Sequence, residues 1–314
     1  MALHRVAKVT VGVPDVATTA AYYDEFGLTR TTGSRQGSGR AAFSTTHGGE
    51  QLELTRTARR QLVEFRIAGD DHDDLARVAA SLAGHDYKVE RGEHTVSTVE
   101  PVSGAIGVVE VLPRLDQPRQ DPTPYNGVGR LERPNTRAPG ILRQGAVTPR
   151  KLGHFVLGST DYDATRTFFL DGLGFKLSDE VPGLSTFMRC STDHHNVLVL
   201  PAPVNFMHHT SWQVDDVDDV GRGATAMLEG HPERHIWGLG RHHVGSNFFW
   251  YLKDPAGNFS EYYSDMDAIV DDQTWTPEVF EGASGLYRWG PPPPSSFLHP
   301  EDLAALMTGS HSAS

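Results

Sequence analysis

Gly153-His154-Phe155-Val156-Leu157, His208-His209 ahead of Trp212-Gln213-Val214, and Tyr251-Leu252-Lys253-Asp254-Pro255-Ala256-Gly257-Asn258-Phe259-Ser260-Glu261 are three pieces of one stretch, Lys151 to Asp265. Each is rich in β-branched or aromatic residues and reads as a strand or a strand beside a turn. Together they offer two imidazoles and one carboxylate between residues 154 and 261. Those are the ingredients of a facial triad, which holds iron(II) and leaves one face of it open. A single histidine on a strand is more often a core or surface residue than a ligand. Here the donors sit beside strand-like runs, as they must to point into one cavity.

Working outward, the first half of the chain repeats the second. Lys8 to Asp15 aligns with His154 to Asp161, Tyr22-Tyr23 with Phe168-Phe169, and Gly27-Leu28 with Gly174-Phe175. Leu62 to Ile67 aligns with Met207 to Trp212, and Asp73-Asp74-Leu75 with Asp218-Asp219-Val220. The matches keep one order and a nearly constant offset, the mark of a duplicated architecture. The differences carry the information. His154 falls on Lys8, His209 on Glu64, and Glu261 near Val108. One half holds three plausible ligands and its copy holds none of them.

The pattern in each half is strand, helix, then several strands, given twice. In the first half the spacing predicts strands over Val6–Val13, Ala41–Ser44, Gln51–Thr55, Leu62–Ile67, Tyr87–Glu90, His94–Glu100 and Ile106–Leu112. Helices are predicted over Val16–Phe26 and Asp73–Ala83. Pro118, Pro122, Pro124, Pro134 and Pro139 make the stretch from Pro113 to Pro149 a connection rather than a central strand. The Asp215–Asp219 run lacks the glycine and terminal glutamate of a calcium loop and reads as a loop and helix cap. Pro291–Pro294 reads as a rigid surface crossing, and Met307–Ser314 as a frayed tail.

The 314 residues suffice for two ordinary domains. A net charge of −12 argues against nucleic acid, whose phosphates call for a basic face. No apolar run is long enough to span a bilayer, and the N-terminus lacks a signal-peptide core. Cys190 is the only cysteine, which excludes an intrachain disulfide and a thiolate cluster. These features predict a cytoplasmic protein.

At this point the chain resembles a family, the type I extradiol, meta-cleaving catechol dioxygenases of the vicinal-oxygen-chelate superfamily. Gly153-His154-Phe155-Val156 is similar to the family's first-ligand strand, and His208-His209 to the second, with the later histidine as ligand. The run from Tyr251 through the Asp-Pro-x-Gly-Asn turn to Glu261 resembles its signature. The resemblance is close from Lys151 to Asp265 and fainter from Val6 to Leu112.

The resemblance implies an α+β fold of repeated βαβββ modules, glyoxalase-like, forming two open β-barrel-like domains. The expected division is a metal-free domain over 1–115, a connection over 116–149, a catalytic domain over 150–270, and a covering segment and tail over 271–314. It implies Fe(2+), or alternatively Mn(2+), on His154, His209 and Glu261. His195 is then expected over the oxygen site, His242 on the substrate side, and Tyr251 on a catecholate oxygen, with His194 and His243 the alternatives within their adjacent pairs. His243, Trp250, Asn247 and Arg288 complete the expected substrate contacts. Arg288 pairs either with a carboxylate on the substrate or, on the plainer reading, with Glu281 or Glu301. The implied reaction inserts O2 into a catechol-type aromatic beside the diol, giving a ring-opened semialdehyde or keto acid, in a homo-oligomer. Two rival readings keep the fold: a glyoxalase-like metal-dependent isomerase or lyase, and a non-catalytic aromatic-binding protein.

Overall fold

The structure is a computed structural model describing residues 3–32, 39–280 and 282–308. Its first half runs β1 (Leu3–Val13), α1 (Val16–Glu25), β2 (Thr29–Arg30), β3 (Arg40–Thr45) and β4 (Gly48–Arg56). It then repeats itself as β5 (Gln61–Gly69), α2 (His72–Gly84), β6 (Glu90–Arg91), β7 (Thr95–Val99) and β8 (Ile106–Val111). After a connection bearing only the short α3 (Pro139–Leu142), the second half opens with β9 (Lys151–Ser159), α4 (Tyr162–Thr167), β10 (Lys176–Val181), β11 (Ser185–Arg189) and β12 (Val197–Pro201). It closes with β13 (Phe206–Gln213), α5 (Val217–Leu228), β14 (His235–Arg241), β15 (Phe248–Lys253) and β16 (Phe259–Ser264).

Each half is therefore two βαβββ modules side by side in one sheet. The strand order is β2-β3-β4-β1-β5-β8-β7-β6 in the first, and the second has the same order with every label raised by eight. The end strands do not pair with each other, so each sheet is open. This is the α+β, repeated-module architecture the sequence predicted. The predicted strand over Tyr87–Glu90 is reduced to the two residues Glu90–Arg91.

The helices follow from local chemistry. The Asp71 side chain caps α2 by accepting the Asp74 N–H, with Asp73 and Asp74 in the first turn against the helix dipole. Leu75, Val78, Ala79 and Leu82 then fall on one buried face. α5 repeats the device: Asp216 accepts the Asp219 N–H, and Val220, Gly223, Ala224 and Met227 are buried. The acidic run is thus a cap, as expected. At Gly223 a Cβ would meet the Tyr262 ring at 2.9 Å, so this face admits no larger residue.

One apolar core joins both halves. Phe26 stacks on Tyr262 with ring centroids 3.9 Å apart, and the Tyr262 hydroxyl donates to the Phe26 carbonyl at 2.7 Å. Phe65 packs on Phe155 and Phe169. Burying one such ring is worth about 2–3 kcal/mol, so the shared core ties the sheets together strongly. Beyond β16 the chain crosses back over the second sheet and forms α6 (Ser295–Leu298) and α7 (Leu303–Met307). Buried Arg60 of the first half holds this segment through Asp302, at 2.6 and 2.8 Å, and donates to the Met207 carbonyl on β13. Among the described residues, no helix is long and apolar enough to cross a membrane.

Candidate metal centre

Strand register brings the three donors together. Ser211 on β13 lies opposite His154 on β9 and opposite Glu261 on β16. Those three residues form a row across the sheet and share a face, and His209, two residues from Ser211, shares it too. The pairing of β13 with β9 slips twice. Met207 faces Leu157 and His209 faces Val156, which leaves His208 as an extra residue in a β-bulge. Strict alternation would turn His208 away from His209; in the bulge both line the same cavity. The second slip is at Gly153, where a Cβ would come within 2.1 Å of the Tyr263 hydroxyl. Any side chain there would push β9, and His154 with it, off its register.

His154 Nε2 is 3.3 Å from His209 Nε2 and 3.2 Å from Glu261 Oε2, and His209 Nε2 is 3.7 Å from the same oxygen. Metal–ligand bonds of about 2.1 Å at right angles place neighbouring donors about 3.0 Å apart. The triangle is close to that. Glu261 is wholly buried, yet its Oε2 accepts no hydrogen bond. An unpartnered buried carboxylate oxygen facing two imidazole nitrogens is strongly unfavourable without a cation between them. The donor set of two nitrogens and one oxygen, with an open side toward the cavity, fits a divalent transition metal.

Other groups fix these donors. Asn247 Nδ2 donates to Glu261 Oε1 at 3.2 Å. Burial disfavours the Glu261 charge, but the His154 and His242 rings outweigh it and hold the carboxyl well below the usual carboxylate range. Burial, and then the neighbouring imidazoles, keep His195 and His209 well below the ordinary imidazole value, so both rings are neutral. His208 is pushed down to about 4, mainly by burial. Burial and the Glu261 charge raise Tyr251, which stays a phenol. Its hydroxyl is 2.9 Å from His242 Nε2, and His242 Nδ1 donates to the Leu286 carbonyl.

The donors lie at the floor of a cavity of about 140 Å³. His195, His242 and Tyr251 are in its wall, and the His195 ring lies 4.2 Å from the His154 ring, centroid to centroid. The rest of the lining is mainly apolar: Val156, Phe187, Leu198, Leu200, Val244 and Phe297 among others. Leu286, Phe297, Leu298 and His299 come from the segment after β16, which was expected to cover the site.

The four expected substrate contacts are not in this lining. Asn247 is buried behind Glu261 and holds its carboxylate. Trp250 faces the outside of the sheet, its indole N–H on His235 at 3.0 Å. His243 is exposed and packs on Phe280. Arg288 is exposed as well. Glu301 pairs with Lys253 instead of Arg288, and Glu281 lies outside the described residues. Adjacency in sequence suggested these contacts, but strand alternation and the turn at Gly245 direct them elsewhere.

Two further buried histidines, His194 and His208, join the expected residues through hydrogen bonds. His194 sits between Asp179 Oδ2, 2.8 Å from its Nε2, and His195 Nδ1, 3.1 Å from its Nδ1. His208 sits between the Phe297 carbonyl, 2.6 Å from its Nε2, and His209 Nδ1, 2.7 Å from its Nδ1. The tandem pairs in the sequence were the available signal.

Compared with known proteins, residues 151–262 match the family described as Glyoxalase/Bleomycin resistance protein/Dioxygenase superfamily. Metapyrocatechase 2 of Cupriavidus necator is 30% identical over 306 residues, covering 95% of this chain and 92% of its own. The chain belongs to the type I extradiol dioxygenases. An iron-dependent extradiol dioxygenase of Rhodococcus jostii is 29% identical over 154 residues, 44% of this chain and 50% of its own. Among solved structures, a Mn(II)-bound glyoxalase from Novosphingobium aromaticivorans superposes with a TM-score of 0.76 at 25% identity, over 96% of this chain and 95% of that one. This extradiol dioxygenase is thus an enzyme of the oxidoreductase class, as the sequence led one to expect.

Proposed function

We propose that this dioxygenase inserts both atoms of O2 into a catechol-type aromatic beside the diol, giving a ring-opened semialdehyde or keto acid. His154, His209 and Glu261 would hold one Fe(2+), with Mn(2+) the alternative. Bound there, the metal supplies a common template and electron path for catecholate and dioxygen, removing the entropy of their encounter. The observation that carries this reading is the convergence of three donor atoms in a mainly apolar cavity whose wall holds His195, His242 and Tyr251.

Each of those residues has a task set by its hydrogen bonds. The His242 Nδ1 proton is committed to the Leu286 carbonyl, so Nε2 offers a lone pair to the Tyr251 hydroxyl. Tyr251 in turn accepts from a substrate hydroxyl, orienting the diol. His194 donates to Asp179 and so offers its Nδ1 lone pair to the His195 Nδ1 proton. That leaves the lone pair of His195 on Nε2, in a ring that lines the cavity, where it would accept a diol proton and return it as the ring opens.

The lining also speaks to the substituent. Among the described residues no lysine or arginine lines the cavity, whereas Leu184, Leu198, Leu200 and Leu298 lead to its mouth. A neutral, apolar-substituted catechol suits these walls better than a carboxylated one. We divide the chain at 1–115, 116–149, 150–270 and 271–314, with the metal in the third part. The lone cysteine supports a cytoplasmic setting. Exposed Tyr125, Val128, Leu131, Ile141 and Leu142 on the connection support a homo-oligomer.

Aerobic turnover of the iron-loaded chain with a panel of catechols tests the reaction. The expected result is one O2 consumed per catechol and a yellow ring-opened product, faster with alkyl or aryl substituents than with carboxylated ones. Turnover without O2 would favour the isomerase reading, which the glyoxalase neighbour keeps in view.

A further inference from the structure

His208 touches no reacting atom in the scheme above, yet it is buried, polar and set at a bulge beside a proposed ligand. Its surroundings are the Phe206, Phe259 and Phe297 rings, with centroids 5.9, 5.2 and 4.9 Å away. Its two nitrogens have one partner each. A backbone carbonyl can only accept, so Nε2 carries the proton toward Phe297. A neutral His208 then has a lone pair on Nδ1. The bond of 2.7 Å between the two Nδ1 atoms therefore requires the proton to be on His209. His209 is left with its lone pair on Nε2, the atom that converges with His154 and Glu261.

We infer that His208 is a positioning residue that locks His209 in its ligating tautomer, and that the C-terminal segment sets this lock through the Phe297 carbonyl. The inference rests on the reading of His209 as a ligand. It gives the covering segment a second task. The segment closes the cavity with Phe297 and Leu298, and the same turn of chain governs how tightly the metal is held. An outer group that orients a ligating histidine is commonly worth 10–100-fold in metal affinity. The unusual element is that the chain of bonds ends on a backbone carbonyl 89 residues further along the sequence.

The bulge makes this arrangement possible. Without the extra residue, positions 208 and 209 would face opposite sides of β13, and their Nδ1 atoms could not meet. The first half has the same slip, between Thr10–Glu64 and Val11–Leu62, but Val63 occupies it. The frame was therefore present in both halves, and only one half placed a hydrogen-bonding ring there.

Full-length variants separate the two bonds of His208. His208→Asn retains an acceptor near the Nδ1 position and loses the tie to Phe297. His208→Gln retains a donor near Nε2 and loses the acceptor. Iron(II) would be titrated anaerobically into the metal-free proteins. His208→Gln is expected to bind about 10–100-fold more weakly, and His208→Asn to be rescued toward wild type. Phe297→Ala, which loosens the segment, should weaken binding in the wild-type background and add nothing to His208→Gln. Ring ¹⁵N spectra of the metal-free wild type need no variant: the His209 proton should be found on Nδ1. A proton on His209 Nε2, wild-type affinity in His208→Gln, or additive effects of Phe297→Ala and His208→Gln would each overturn the inference. His209→Ala is the control for the underlying reading. If it keeps wild-type metal affinity, His209 is not a ligand and the proposed centre itself fails.

Discussion

The two halves of the molecule share a backbone and differ in what hangs on it. Their strand registers can be laid over each other residue by residue. Thr10 faces Glu64 where Val156 faces His209, and Arg66 faces Val108 where Ser211 faces Glu261. Val9 faces Leu52 where Phe155 faces Val197, so Glu50 falls on His195. The second half's His154, His195, His209 and Glu261 are thus Lys8, Glu50, Glu64 and Val108 in the first. There Lys8 pairs with Glu50 at 2.9 Å and Glu53 at 2.8 Å, and Arg66 pairs with Glu64 at 2.6 Å. The Glu50 side chain is 34% exposed and that of Glu261 0%. One half spends its polar groups on one another near water; the other brings one atom from each of His154, His209 and Glu261 to a single point in a mainly apolar cavity. The comparison teaches that the fold supplies the same four strand positions twice, and that residue choice and burial decide what they carry.

The most damaging change copies the first half into the second. Glu261→Val should abolish stoichiometric iron binding and turnover while leaving the circular dichroism spectrum intact. Iron retained at one equivalent would show that the carboxylate is not a ligand.

Next in size is His195→Phe. This variant should keep iron and catechol affinity and lose about 10²–10⁴-fold in turnover, the usual worth of a positioned acid–base group. Loss of the metal instead would move His195 among the ligands.

The converse graft probes the equivalence of the frames. Lys8→His, Glu64→His and Val108→Glu together should create a second, weaker metal equivalent without a second activity, since the first half keeps Glu50 where the other has His195. No second equivalent at saturating manganese would break the proposed correspondence.

The smallest effect concerns the turn before Glu261. Burial pushes the Asp254 carboxyl up from 3.8 to about 6, even though it accepts from the Ala256 and Asn258 N–H groups. The folded state thus binds this proton more tightly than the unfolded one. Its contribution to stability is present below about pH 4 and is lost as pH rises through about 6. Asp254→Asn should flatten that part of the melting-temperature profile, and an unchanged slope would assign it to other groups.

Much of this was legible in sequence because duplication wrote the frame twice. Strand alternation placed His154, His209 and Glu261 on neighbouring strands, and the Asp-Pro-Ala-Gly-Asn turn marked where the last strand begins. The sequence was opaque where period two breaks down. The bulge at His208 turns a residue inward that alternation sends outward, and no local signal announces it. The cavity wall was opaque for another reason. Leu184, Leu198 and Leu286 come from distant segments and look like ordinary core residues one at a time. Conversely, Asn247 and Trp250 sit beside the right residues in sequence, but one is behind the carboxylate and the other is half-buried, outside the cavity, with its indole N–H on His235. Arg288 lies among aromatic residues in the sequence, yet the chain exposes it.

The central claim is that only the second half holds a metal, on His154, His209 and Glu261. Anomalous diffraction at the iron edge from iron-loaded crystals tests it most directly. The account predicts one peak per chain, bonded to His154 Nε2, His209 Nε2 and Glu261 Oε2. A peak beside Lys8 and Glu64, or a single peak bonded to any other set of side chains, would contradict it.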